Sequence, residues 1–385
     1  MNTPCLLLCA ALLSACVSAP KRAEHATFYA DSLFAAPTET LTAEAVFGLS
    51  EPMRRTIDAS VARLARSKGV EQALLEALYS KGQLQLEYDA AETRTAAQAF
   101  EARAGNCLSL VLMTAAIAKR LDLPVTYQRV YTPSTWSRSN GIAFASEHVN
   151  IVLGRRAPES HVAYSQESLL TIDFLPPEET RGQRTRVISE DTVVAMYFNN
   201  RAAEALAQGD TNAAYWHARN AIEQAPTHLN AYNTLGVIYL QHGLPRQAAE
   251  VLGHVLASEP GNTLALSNQI SALESMGRIT EAKRLYAQLQ GIEPAPPFYF
   301  FDQGIAAYKA GDYETARDWF RQELRRDAYS HEFHYALALA ELALGNTHLA
   351  RRELGKAAET STTRERRGIY VAKLEQLKDR ERVIR

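Results

Sequence analysis

Cys107, His148 and Asp173 are the residue types that thiol chemistry requires. A cysteine sulfur attacks a carbonyl as the thiolate. An imidazole takes the thiol proton and returns it to the leaving group, and a carboxylate orients the ring and offsets its charge. His161 is a competing base, although Pro158, Glu159 and Ser160 before it read as a loop. No phosphate-cradling glycine loop, Cys-x-x-Cys pair or His-Glu-x-x-His helix occurs, so the sequence implies no metal and no organic cofactor.

The elements that must position these residues follow from local patterns. Gly105-Asn106 reads as a turn and N-cap, placing Cys107 in the first turn of a helix that runs to about Leu121. That helix is apolar nearly all round (Leu108, Leu110, Val111, Leu112, Met113, Ile117), as buried helices are. A helix N-terminus gathers free N–H groups and positive potential, which favours a thiolate and can hold an oxyanion. Helical spacing also covers 56–67 and 71–79. Past Leu123-Pro124-Val125 the pattern turns strand-like over 125–131, 147–153 and 168–174, ahead of Pro176-Pro177. His148 falls on the second of these strands and Asp173 near the end of the third.

Arg103-Ala-Gly-Asn-Cys107, the apolar helix, Leu123-Pro124-Val125, and then His and Asp on successive strands resemble the transglutaminase-like superfamily over about residues 90–180. Its members include cross-linking enzymes, peptidases, deamidases and inactive relatives. The resemblance implies an α+β, papain-like domain with Cys107, His148 and Asp173 as a triad and Gln98, upstream, as an oxyanion donor. The chain departs from the family in two places. His148-Val149-Asn150 stands where the family often has His-x-Trp, and Phe174 follows Asp173 where Pro is common. The interval between His148 and Asp173 leaves room for an insertion around 155–166.

The C-terminal half repeats every 34 residues: Gly209, Gly243, Gly277, Gly311 and Gly345, with Ala214, Ala248, Ala282, Ala316 and Ala350 in register, and Pro226, Pro260 and Pro294 at a third position. The glycine suits a sharp turn between two helices, the alanine a close helix contact, and the proline a helix stop. With Leu235-Gly236-x-x-Tyr239, the pattern resembles the tetratricopeptide repeat, which implies an all-α superhelix of five units over 193–362 and a capping helix over 363–385. Family geometry places Asn199, Asn200, Asn230, Asn233 and Asn268, then Phe298, Phe301, Tyr308 and Tyr335, near the concave wall. The Asn row offers donors and acceptors to an extended protein or peptide ligand, and the aromatic set offers apolar pockets. Solvated Asn and packed aromatics are the alternative.

At the other end, an apolar run of about a dozen residues is too short to cross a bilayer, which takes roughly 20. It closes on Leu13-Ser14-Ala15-Cys16, which resembles the lipobox of bacterial lipoproteins, although no Lys or Arg precedes the run. The resemblance implies a signal peptide over 1–15, acyl chains on Cys16, a tether over 16–40 and, with Val17 next, an outer-membrane lipoprotein facing the periplasm. An ordinary signal peptide is the alternative. Processing would remove Cys5 and Cys9, so Cys107 would be the one free thiol in an oxidising compartment.

The chain has 385 residues, enough for two or three domains, and 41 basic against 43 acidic side chains. Near-neutrality removes the electrostatic case for nucleic-acid binding. The expected protein is an α+β papain-like domain over 41–192 joined to an all-α repeat superhelix. It would be a membrane-anchored thiol enzyme acting on amide bonds, by hydrolysis or acyl transfer, or else a non-catalytic repeat scaffold with a relic cysteine domain.

Overall fold

The computed structural model describes residues 24–37, 41–79, 86–90, 92–139, 142–154, 169–175 and 182–384. Cys5, Cys9, Cys16, His161 and the whole of the expected insertion lie outside them.

The cysteine-bearing region opens with helices α1 (Ala43–Val46), α2 (Glu51–Thr56), α3 (Ala62–Lys68) and α4 (Val70–Tyr79), α2 and α3 being joined through a π-helical turn at Ile57–Val61. Thr42 and Ser50 cap α1 and α2 by accepting backbone N–H bonds. Strand β1 (Glu87–Tyr88) pairs in parallel with β2 (Ala104–Gly105), on either side of α5 (Ala96–Ala102). Helix α6 (Cys107–Arg120) follows, and residues 108–118 of it are all buried. The main sheet is antiparallel in the order β5-β4-β3-β6, from β3 (Val125–Ser139), β4 (Ile142–Leu153), β5 (Leu170–Ile172) and β6 (Arg184–Ile188). Of these, β6 was not anticipated, because its residues are mostly exposed and carry no alternating pattern.

Ten helices then pair as α7/α8 (Glu190–Ala207, Thr211–Gln224), α9/α10 (Leu229–Gln241, Pro245–Ser258), α11/α12 (Thr263–Ser275, Ile279–Ile292), α13/α14 (Tyr299–Lys309, Tyr313–Leu324) and α15/α16 (His331–Ala343, Thr347–Glu359). Helix α17 (Arg364–Ile384) packs on α16. The five periodic glycines all sit between paired helices at φ of 72° to 83°, a left-handed conformation that costs glycine little. The five periodic alanines are at most 2% exposed. At Gly304 a Cβ would run into the Phe320 ring, so α13 and α14 meet there only without a side chain.

Two expectations about organisation are corrected. The expected boundary at 192/193 falls inside α7, whose residues 193–198 are all buried, and one hydrophobic core runs continuously from Phe34 through the cysteine region to Ala272. The expected tether is not a free linker over its described part. Residues 24–37 lie against the first two repeats, with Phe34 stacked on Tyr215 at 3.9 Å and on His242 at 4.4 Å. Tyr239 and Trp216 donate to the carbonyls of Phe28 and Ala35 at 2.6 Å, and Asn212 accepts from the Ala35 N–H at 2.8 Å. The sequence carries no local sign of this docking, because the stretch is short and lacks helical or strand periodicity.

Phe34→Ala should therefore cost about 3–5 kcal/mol, as truncating a buried ring does. A clear drop in denaturant midpoint checks this; an unchanged midpoint would restore the free tether.

Candidate active site

Cys107 is the first residue of α6 because Asn106 caps that helix, its Oδ1 accepting from the Ser109 N–H at 2.9 Å and from Ser109 Oγ at 2.8 Å. Ser109 Oγ in turn accepts from the Arg94 N–H, and Asn106 Nδ2 donates to Thr93 Oγ1, each at 2.8 Å. The cap is thus held by the segment before α5, and Cys107 is half-buried at the mouth of a buried helix.

His148 lies on β4, which α6 packs against, and is 4% exposed. Its Nε2 bonds Asp173 Oδ1 at 2.7 Å. Asp173 follows β5, and the register that pairs Ile151 with Ile172 brings it beside His148. It also accepts from the Leu175 N–H at 3.0 Å and, through Oδ2, from Asn150 Nδ2 at 3.1 Å. His148 and Asn150, two apart on one strand, share a face and hold the two carboxylate oxygens between them.

Burial works against a charged His148 ring, but the bonds and charges of Asp173 and Cys107 overcome it and hold the ring up at about 10. Burial likewise raises Asp173, and its bonds to His148, Leu175 and Asn150 outweigh that and leave it below the usual carboxylate range. Nδ1, the ring nitrogen left for sulfur, is buried without a well-formed hydrogen bond, yet Cys107 lies near enough for its side chain to raise the ring through both hydrogen bonding and charge. Such contacts tighten when a substrate is bound. The arrangement can keep an imidazolium beside the sulfur, with the carboxylate behind it.

The structure thus brings Cys107, His148 and Asp173 together and separates Gln98 from them. Gln98 is exposed on α5, where Thr95 and Gln98 form a capping box: Gln98 Oε1 accepts from the Thr95 N–H at 2.9 Å and Thr95 Oγ1 from the Gln98 N–H at 3.3 Å. Its job is to start α5, which corrects the oxyanion role. Sequence reasoning missed Asn150 as a member of the site. The signal was its alternation with His148, which had counted only as a departure from His-x-Trp.

The expected peptide-binding residues divide. Asn268 Nδ2 donates to Asn233 Oδ1 at 3.0 Å, linking the first helices of the second and third repeats; Asn200 and Asn230 are half-buried, and Asn199 has its Oδ1 buried. Phe301, 5% exposed, packs with Phe298, Phe320 and Phe333 and is core. Tyr335 lies against Tyr370 of the capping helix at 4.9 Å, and Tyr308 packs on Tyr313. Repeat stacking thus consumes these aromatics, so they form no open pocket row.

Comparison with known proteins bears on the repeats. A tetratricopeptide-repeat family model matches residues 205–267. A thermophilic tetratricopeptide-repeat protein of Thermus thermophilus is 19% identical over 46% of this chain and 97% of its own, with a TM-score of 0.29. The pilF protein of Pseudomonas aeruginosa is 20% identical over 49% of this chain and 86% of its own, at a TM-score of 0.29. No curated protein matches. Residues 205–267 are therefore a tetratricopeptide-repeat domain, and the helix pairs on either side continue its 34-residue period.

At pH 7, His148→Ala should slow iodoacetamide alkylation of Cys107 by roughly tenfold or more, because the thiolate is the reactive form. Asn150→Ala should slow it less and cost about 1–3 kcal/mol, since a buried carboxylate oxygen loses its donor. Rates indifferent to both changes would mean an idle thiol.

Proposed function

We propose that this protein binds a protein or peptide with its repeats and acts on an amide bond of that ligand through Cys107. The family match supports the binding half. The thiol half rests on one observation: a buried His148 ring bonded to Asp173 at 2.7 Å and held charged beside Cys107. In the first step the Cys107 Sγ–carbonyl bond forms, the C–N bond breaks and His148 protonates the departing amine. Water then adds to the thioester with His148 as base, releasing the acid and freeing the thiol. An amine in place of water gives transfer; hydrolysis is the reading adopted, since water is abundant and nothing in the sequence marks an amine site.

The matching triad types and positions support a transglutaminase-like, papain-like domain around this site. The lipobox at Cys16 supports an outer-membrane lipoprotein facing the periplasm. From Cys16 to Glu24, where the docked segment begins, eight residues reach at most about 29 Å, so an anchored chain would hold its first two repeats close to the membrane.

The non-catalytic scaffold is the second reading, favoured by a family match confined to the repeats. Incubating a peptide mixture with the full chain and with Cys107→Ala, with products read by mass spectrometry, separates the two. Cleaved or deamidated peptides from the wild type alone support the enzyme. Identical mixtures, from a variant with an unchanged melting profile, leave the scaffold.

A further inference from the structure

Between the second helices of the fourth and fifth repeats lies a cavity of about 260 Å³. Arg321 and Arg325 reach it from the end of α14, and Arg352 and Lys356 from α16, against one lining carboxylate, Glu353. That carboxylate is already committed: it bonds His334 Nδ1 at 2.8 Å and Arg352 at 2.9 Å, and Lys356 stands 3.8 Å away. Arg321 pairs with the buried Glu341 at 2.7 Å. Arg325 has no ion pair among the described residues, so the cavity keeps unneutralised positive charge at its rim. Its floor is apolar, from Leu324 and Leu337.

We infer that this cavity is a docking site for an acidic peptide segment of a protein partner that presents one apolar side chain. The inference rests on the repeat array being a protein-binding module and says which surface it uses and for what chemistry. Carboxylates find fork-shaped guanidinium donors at the rim, and an apolar side chain fills the space over Leu324 and Leu337. A planar anionic lipid surface would meet the rim and leave the floor empty. The site lies in the last two repeats, away from the first two, whose surface residues 24–37 already occupy.

The test is fluorescence anisotropy on the full chain with a labelled peptide of alternating Glu and Leu, capped at both ends. The Gln/Leu version is run alongside, with vesicles containing an anionic lipid as a third probe. The expected result is saturable binding of the Glu/Leu peptide that weakens with salt and falls by roughly tenfold or more in Arg325→Glu/Lys356→Glu. Both side chains are exposed or half-exposed, and the milder Arg325→Gln/Lys356→Gln pair should give a smaller loss in the same direction. Equal binding of both peptides, unmoved by the substitutions, would overturn the site while leaving the array a peptide binder. No peptide binding at all would overturn both. Vesicle binding lost in the charge-reversed protein, without peptide binding, would make the patch a membrane contact and overturn the proposal.

Discussion

A charged imidazole buried to 4% exposure is the constraint around which the cysteine region is arranged. Removing such a ring from water favours its neutral form, so every charged partner it has must be held close and in place. Asp173 is the main one, and it in turn needs the Leu175 N–H and Asn150. Those bonds exist because β4 carries His148 and Asn150 on one face and because β5 pairs in a register that brings Asp173, just past its end, beside them. The sign of the linkage follows. With its folded value near 10, above the ordinary 6.5, His148 contributes stability that is fully present below pH 6.5 and is lost as pH rises through 10.

The same site is tied to the repeats through its helix cap. Asn106 bonds Thr93, whose N–H donates to Glu204 on α7 at 2.7 Å, and Glu204 pairs with Arg201, which also holds Glu92. Farther along, Glu147, next to His148, pairs with Arg129 at 2.8 Å and lies 3.5 Å from His228, which precedes α9. At the far end of the array, Thr362 accepts from the Ala90 N–H and Arg364 pairs with Glu87. Residues 87–90 therefore touch the stretch after the last repeat, and Glu92 and Thr93 touch the first.

How much of this could be read in advance depended on whether the signal was local. The repeat turns were legible because a left-handed turn and a close helix crossing each restrict the residue at one position, and the period displays that restriction five times. The start of α6 was legible because capping acts over three residues. What was missed involves partners far apart in sequence. The docking of Phe34 on Tyr215 spans 181 positions, and nothing in residues 24–37 encodes it. Gln98 was misassigned because an upstream glutamine and a capping-box glutamine look alike until Thr95 is seen to close the box. Phe301 and Tyr335 sat at positions that face a groove in an ideal repeat, yet neighbouring helices cover them here.

The most direct test of the central claim is the titration of the His148 ring, followed by its ¹⁵N shifts from pH 6 to 11 in the wild type and in Asp173→Asn. The account predicts a ring that stays charged past neutrality, with a midpoint near 10 that falls by several units when the carboxylate is removed. A wild-type ring already neutral at pH 7, with the same midpoint in both proteins, would contradict it and leave Cys107 without the charged partner on which the proposed chemistry depends.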